Sequence, residues 1–79
     1  MATDGAETTI DLRGLKCPLP ALRARKALLG MAAGDVLVVE CTDPLATLDI
    51  PNLVRETGND LLDQGRRDDV LVFRIRKRG

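Results

Sequence analysis

Six residues near the end of the chain restrict its fold more than any others: Leu71, Phe73 and Ile75 alternate with Val72, Arg74 and Arg76. A period of two sends the sets to opposite sides of an extended strand, and a side carrying arginines must stay wet. A sheet built around this strand therefore buries one face only, and helices must cover that face. With 79 residues and Phe73 as the sole aromatic, the core is small and aliphatic. So small a domain has little room for an internal substrate chamber, which puts any chemistry near the surface.

The rest of the chain supplies the partners of that strand. Residues Met1 to Glu7 are small and polar and read as a flexible end, followed by a first strand in which Thr8, Ile10 and Leu12 alternate with Thr9, Asp11 and Arg13. Gly14 breaks it, and Pro18, which needs no backbone donor at a helix's first turn, opens a helix predicted to run to Ala33. Leu22, Leu28, Leu29 and Ala32 are read as its inner side, with Arg23, Arg25 and Lys26 completing an amphipathic helix. Val36-Leu37-Val38-Val39 predicts a second strand, with Cys41 sharing the inward parity of Leu37 and Val39. A helical segment then extends to Thr57, its well-formed part predicted to begin at Ile50 because Pro51 interrupts it, with Leu53 and Val54 facing inward. Asp60 to Gln64 read as a weak strand, Arg66-Arg67-Asp68-Asp69 as a turn, and Val70 to Ile75 as the last strand.

The order β-α-β-α-β-β predicts an α/β (α+β) two-layer sandwich, a four-stranded mixed sheet with two helices on one face, as a single domain over residues 8 to 79.

Composition excludes several functions. Twelve basic residues balance twelve acidic ones, so the net field draws the chain neither to nucleic acid nor to an anionic membrane, and there is no aromatic platform for stacking bases. The glycines are scattered at turns and build no phosphate-cradling loop. The first residues lack a signal peptide's basic and apolar regions, and no apolar run approaches the roughly 20 residues of a membrane span, so a cytoplasmic location is expected. The absence of histidine removes a Cys-His pair and the usual zinc ligands; no metal is expected.

What remains is thiol chemistry. Cys17 lies in Lys16-Cys17-Pro18-Leu19-Pro20 at the mouth of the first predicted helix. Unpaired N–H groups and the macrodipole favour a thiolate there, Arg13 and Lys16 add positive potential, and Pro18 and Pro20 restrict the backbone that holds the sulfur at the entrance. The bland alternative is that Cys17 packs as a small apolar side chain. Cys41, by its parity, reads as a buried structural thiol, and Asp43 and Asp49 read as turn and helix caps. Arg23 and Lys26 are candidates for docking an acidic partner, whereas Arg74, Arg76, Lys77 and Arg78 read as charges protecting a strand edge.

Asp11-Leu12-Arg13-Gly14-Leu15-Lys16-Cys17-Pro18-Leu19-Pro20, Arg25-Lys26, Asp43-Pro44 and Asp49-Ile50-Pro51 together resemble the TusA/SirA-like sulfur-carrier family, whose Cys-Pro-x-Pro motif joins the first strand to the first helix. The likeness spans about residues 9 to 78 and implies that the segment holding Asp43 and Asp49 lies near the Cys17 loop, so that these acids support the site. It implies a sulfurtransferase in which Cys17 takes sulfur as a persulfide from a cysteine desulfurase or another donor and passes it to an acceptor protein. Known members serve tRNA thiolation, molybdenum-cofactor maturation or sulfur oxidation. No cofactor is implied beyond the covalent sulfur, and no direct nucleic-acid or membrane binding. Leu19 stands where Glu is common in thiolation carriers, and Asn52-Leu53-Val54 lacks a cysteine that many relatives have. The competing expectations are a non-catalytic interaction module and a thiol switch using Cys17 and Cys41.

Overall fold

A computed structural model of the chain describes residues 6 to 78. The strands are β1 (Glu7–Leu12), β2 (Val36–Cys41), β3 (Asp60–Arg67) and β4 (Val70–Arg76), and the helices are α1 (Leu19–Leu29) and α2 (Ala46–Glu56). They form one four-stranded sheet in the order β1-β2-β4-β3, with β1 parallel to β2 and the other two pairings antiparallel. The mixed two-layer sandwich is thus the arrangement that the one-sided β4 requires.

Leu37, Val39 and Cys41 of β2 and Phe73 and Ile75 of β4 point to the helices and are fully or almost fully buried, with Leu12 at the end of β1. Leu28 and Ala24 descend on them from α1, and Ala46, Ile50, Leu53 and Val54 from α2. The opposite face carries charged residues that answer one another across strands. Arg74 pairs with Glu7 at 2.9 Å and Arg67 with Glu40 at 3.4 Å.

Several local expectations need correction. Helix α1 ends at Leu29, and of the expected inner side only Leu28 is buried, in line with Pro20 and Ala24; Leu22 and Leu29 are 55% and 74% exposed, and Ala32 is exposed beyond the helix. The i, i+4, i+8 spacing of residues 20, 24 and 28 sets the buried line, and the small Ala24 fits where the helix meets the core. Helix α2 begins at Ala46, and Pro51 lies inside it. Its start is wound by short-range bonds from Ala46 to Asp43, Thr47 to Pro44 and Leu48 to Leu45, while burial of Ile50 and Leu53 offsets the one backbone bond that Pro51 cannot make.

Strand β3 reaches Arg67, so the turn shrinks to Asp68-Asp69, with Asp68 at a φ of 57° as a two-residue hairpin demands. An extra residue, Leu62, bulges from β3 between Leu61 and Asp63. Strand β4 is internal, so the basic run does not guard an edge: Arg74 makes the pair with Glu7, and Arg78 lies 3.5 Å from Asp60. At the other end, residues 1 to 5 of the expected flexible segment lie outside the described residues. Ala6 donates its N–H to Asp35, and Glu7 already pairs with Val36 in β1.

Candidate functional site

Parallel pairing makes β1 and β2 finish at the same end of the sheet, where Leu12 lies beside Cys41. The segments that leave them, 13 to 18 and 42 to 45, are consequently neighbours. Gly14, at a φ of 85°, turns the first segment back and donates its N–H to Thr42 Oγ1 at 2.9 Å. Asp43 accepts the N–H groups of Cys17 at 2.6 Å and Leu45 at 2.9 Å. It is a turn cap, as expected, and also a tether on the Cys17 backbone. These bonds, with Lys16 nearby, hold its carboxyl below the usual carboxylate range.

Cys17 itself is exposed, and the peptide joining it to Pro18 is cis. Its Sγ donates to Asp49 Oδ2 at 2.8 Å. Asp49 lies in the first turns of α2, not ahead of the helix, so the expected cap is instead the hydrogen-bond partner of the thiol. The electrostatic expectation is corrected as well. The hydrogen bond to Asp49, desolvation, and the charges of Asp49 and Asp43 push the Cys17 thiol up from its ordinary value. The helix end does little to oppose this: Pro18 and Pro20 have no N–H, and Leu19 donates its own to Lys16 at 2.8 Å. Arg13 is turned to Asp11 in a two-pronged ion pair at 2.8 and 2.9 Å.

From Cys17 a shallow groove of about 280 Å³ runs between α1 and α2. Pro18, Ala21, Leu22 and Arg25 line one side, and Asp49, Asn52, Leu53 and Glu56 the other. Arg25, Asn52 and Glu56 were not among the sequence candidates. The signal that reaches Asn52 and Glu56 is the helical spacing of 49, 52 and 56, a polar line on a helix whose other side is buried; Arg25 comes from the facing helix α1. Arg23 and Lys26 are not in this groove; they line a separate depression against Ile10 and Leu12 of β1. Leu19 is exposed beside the thiol. Cys41 is wholly buried, which raises its thiol to about 11. Among the described residues, no group of three His, Cys, Asp or Glu side chains is placed to hold a metal, and no helix is long and apolar enough to cross a membrane.

The arrangement offers one accessible sulfur on a tethered loop, hydrogen-bonded to a carboxylate and opening on a groove. Comparison with known proteins places it. Residues 8–77 match the family described as Sulfurtransferase TusA. A chain from Neisseria meningitidis serogroup A, provisionally named a sulfur carrier protein, is 51% identical over 65 residues, covering 82% of this chain and 88% of that one. The sulfur carrier protein TusA of Allochromatium vinosum is 41% identical over 68 residues, covering 86% and 90%. The crystal structure of a SirA-like protein from Desulfitobacterium hafniense superposes with a TM-score of 0.78 at 29% identity, covering 91% of this chain and 99% of that one. The chain with its thiol at the junction of β1 and α1 is a member of the TusA family of sulfur carriers.

Proposed function

We propose that Cys17 accepts sulfur as a persulfide from a donor protein such as a cysteine desulfurase and delivers it to an acceptor protein. The observation that carries this reading is the setting of Cys17, an exposed thiol on a loop tied down by Asp43 and open to a partner along the α1–α2 groove. In the transfer, Sγ bonds to the donor's outer sulfur as the donor's own S–S bond breaks, and delivery repeats the exchange toward the acceptor. Pro18 and Pro20 stiffen the backbone that presents the sulfur, and Lys16 offsets the charge of Asp43.

The exposed Leu19 and Leu22 give the rim an apolar surface for a partner to cover, and Arg23 and Lys26 on the flank of α1 extend a basic face toward an acidic one. Leu19 thereby helps select among acceptors of tRNA thiolation, molybdenum-cofactor maturation and sulfur oxidation. The cytoplasm, where thiols are kept reduced, suits an exposed free cysteine.

The test is intact-protein mass after incubation with a cysteine desulfurase and cysteine. The expected result is a gain of one sulfur atom that reductant removes and Cys17→Ala abolishes. A wild-type protein that stays at its unmodified mass with cysteine desulfurases and with every other plausible persulfide donor protein overturns the reading. Leu19→Glu is expected to leave loading by a small-molecule persulfide intact while changing which protein acceptors take the sulfur.

A further inference from the structure

Cys17 stands between a carboxylate and a groove that holds a cation. Its Sγ is 2.8 Å from Asp49 Oδ2, and the groove that begins at these residues includes Asn52, Glu56 and Arg25. Among the described residues Arg25 forms no ion pair, unlike Arg13, Arg67, Arg74 and Arg78. The charged groups that act on the sulfur are Asp49 from α2 and Asp43 from the segment after β2; Arg25 from α1 and Glu56 from α2 line the groove that begins beside it, and Lys16, from its own loop, acts on Asp43. Arg13, at the end of β1, is engaged by Asp11.

An unloaded and a loaded cysteine meet this setting differently. The thiol has a proton to donate to Asp49. A persulfide is a stronger acid than a thiol, and once ionised its outer sulfur has no proton to offer. Two carboxylates repel that anion, while a guanidinium in the same groove attracts it. We propose, on the basis of the carrier reading above, that Asp49 is a positioning residue that latches Cys17 only while it is unloaded, and that loading turns the sulfur along the α1–α2 groove toward Arg25.

With glutathione persulfide as the donor, Sγ bonds to the donor's outer sulfur as the donor's S–S bond breaks. The departing glutathione sulfur gains the proton that Cys17 loses, and no external oxidant or reductant is consumed. The new persulfide then releases its own proton to water. Asp49 stabilises the reactant side of this exchange and Arg25 the ionised product side, so their removal must move the equilibrium in opposite directions.

The experiment equilibrates the full chain with glutathione persulfide and excess glutathione near neutral pH and reads the loaded fraction by intact mass. Asp49→Asn is expected to raise the loaded-to-unloaded ratio several-fold, Arg25→Gln to lower it several-fold, and Arg74→Gln, on the opposite face, to leave it unchanged. Separately, the rate of iodoacetamide alkylation of unloaded Asp49→Asn is expected to rise at lower pH than in wild type, because the amide no longer favours the proton on sulfur. Asp49→Ser, with melting curves to verify folding, is expected to give the same two shifts. Shifts of the loading ratio in the same direction for the Asp49 and Arg25 variants, or an unchanged ratio and alkylation profile in both Asp49 variants, overturn the latch. If no persulfide donor protein, desulfurase or other, loads the wild type while glutathione persulfide exchange follows the expected pattern, the carrier reading fails and the latch stands.

Discussion

Asp43 accepts the backbone N–H of Cys17 at 2.6 Å, joining two segments 26 residues apart in sequence. The second oxygen accepts the N–H of Leu45 at 2.9 Å, so one carboxylate caps the turn before α2 and restrains the reactive loop. Asp43→Ala removes both bonds. It is expected to lower the melting temperature by a few degrees and to speed hydrogen exchange at the Cys17 amide far more than at the amides of β4. Equal acceleration at both places would mean that the tether is not local.

The response to acid follows from the same group and from Asp11, whose pairing with Arg13 lowers its carboxyl to about 2. Both carboxyls titrate lower in the folded chain than in the unfolded one, so their contacts contribute fully above the ordinary carboxylate range. The Asp11 contribution falls away as pH drops from 3.8 to about 2, and that of Asp43 is likewise lost below the ordinary carboxylate range. Because both side chains are in solvent, the effect is expected to be small and to weaken with salt. Urea titrations in acid, with Asp11→Asn and Asp43→Asn beside wild type, measure it; variants that retain the full wild-type acid loss would contradict the assignment.

The two cysteines are expected to separate cleanly by reactivity. In the native chain, iodoacetamide labels Cys17 while Cys41, sealed in the core, reacts only on unfolding. Mild oxidation therefore yields no Cys17–Cys41 bridge, which peptide mapping checks. Burial raises the Cys41 thiol from 9.0 to about 11, so the folded state resists its ionisation. The sign is the reverse of the carboxylate case: this contribution is complete below pH 9.0 and is lost as pH rises to about 11.

Gly14→Ala offers a test of backbone strain without steric conflict. A Cβ there would meet no atom within 4 Å, yet the φ of 85° disfavours any side chain. A loss of about 1–2 kcal/mol is expected in urea unfolding, the cost of left-handed backbone for an L-residue. A neutral effect would show that the loop relaxes to another conformation, and the alkylation rate of Cys17 would then change with it.

The sheet was legible in the sequence because alternation is a local property: Leu71, Phe73 and Ile75 needed no tertiary information to declare a single wet face. The buried side of α1 was less so. Large leucines suggested a line through Leu22, Leu28 and Leu29, of which only Leu28 is buried; close packing selected Pro20 and Ala24 beside it, and side-chain size does not reveal how near two elements approach. Pro51 misled in the same way, since its local penalty was overridden by the burial of Ile50 and Leu53. At the site, Cys17 stood out through its motif. Its bond to Asp49 did not, because the two lie 32 residues apart and meet only through the placement of α2.

The parallel register of β1 and β2 has one further effect. Leu12 sits beside Cys41 in the core, and just beyond that pair Gly14 bonds Thr42 and Cys17 bonds Asp43. A slip of one residue between these strands would expose Leu12 to water and also separate Cys17 from its tether. The hydrophobic core thus acts as a proofreader for the thiol loop: a chain that has buried its apolar residues correctly has, by the same alignment, already assembled the loop that presents Cys17.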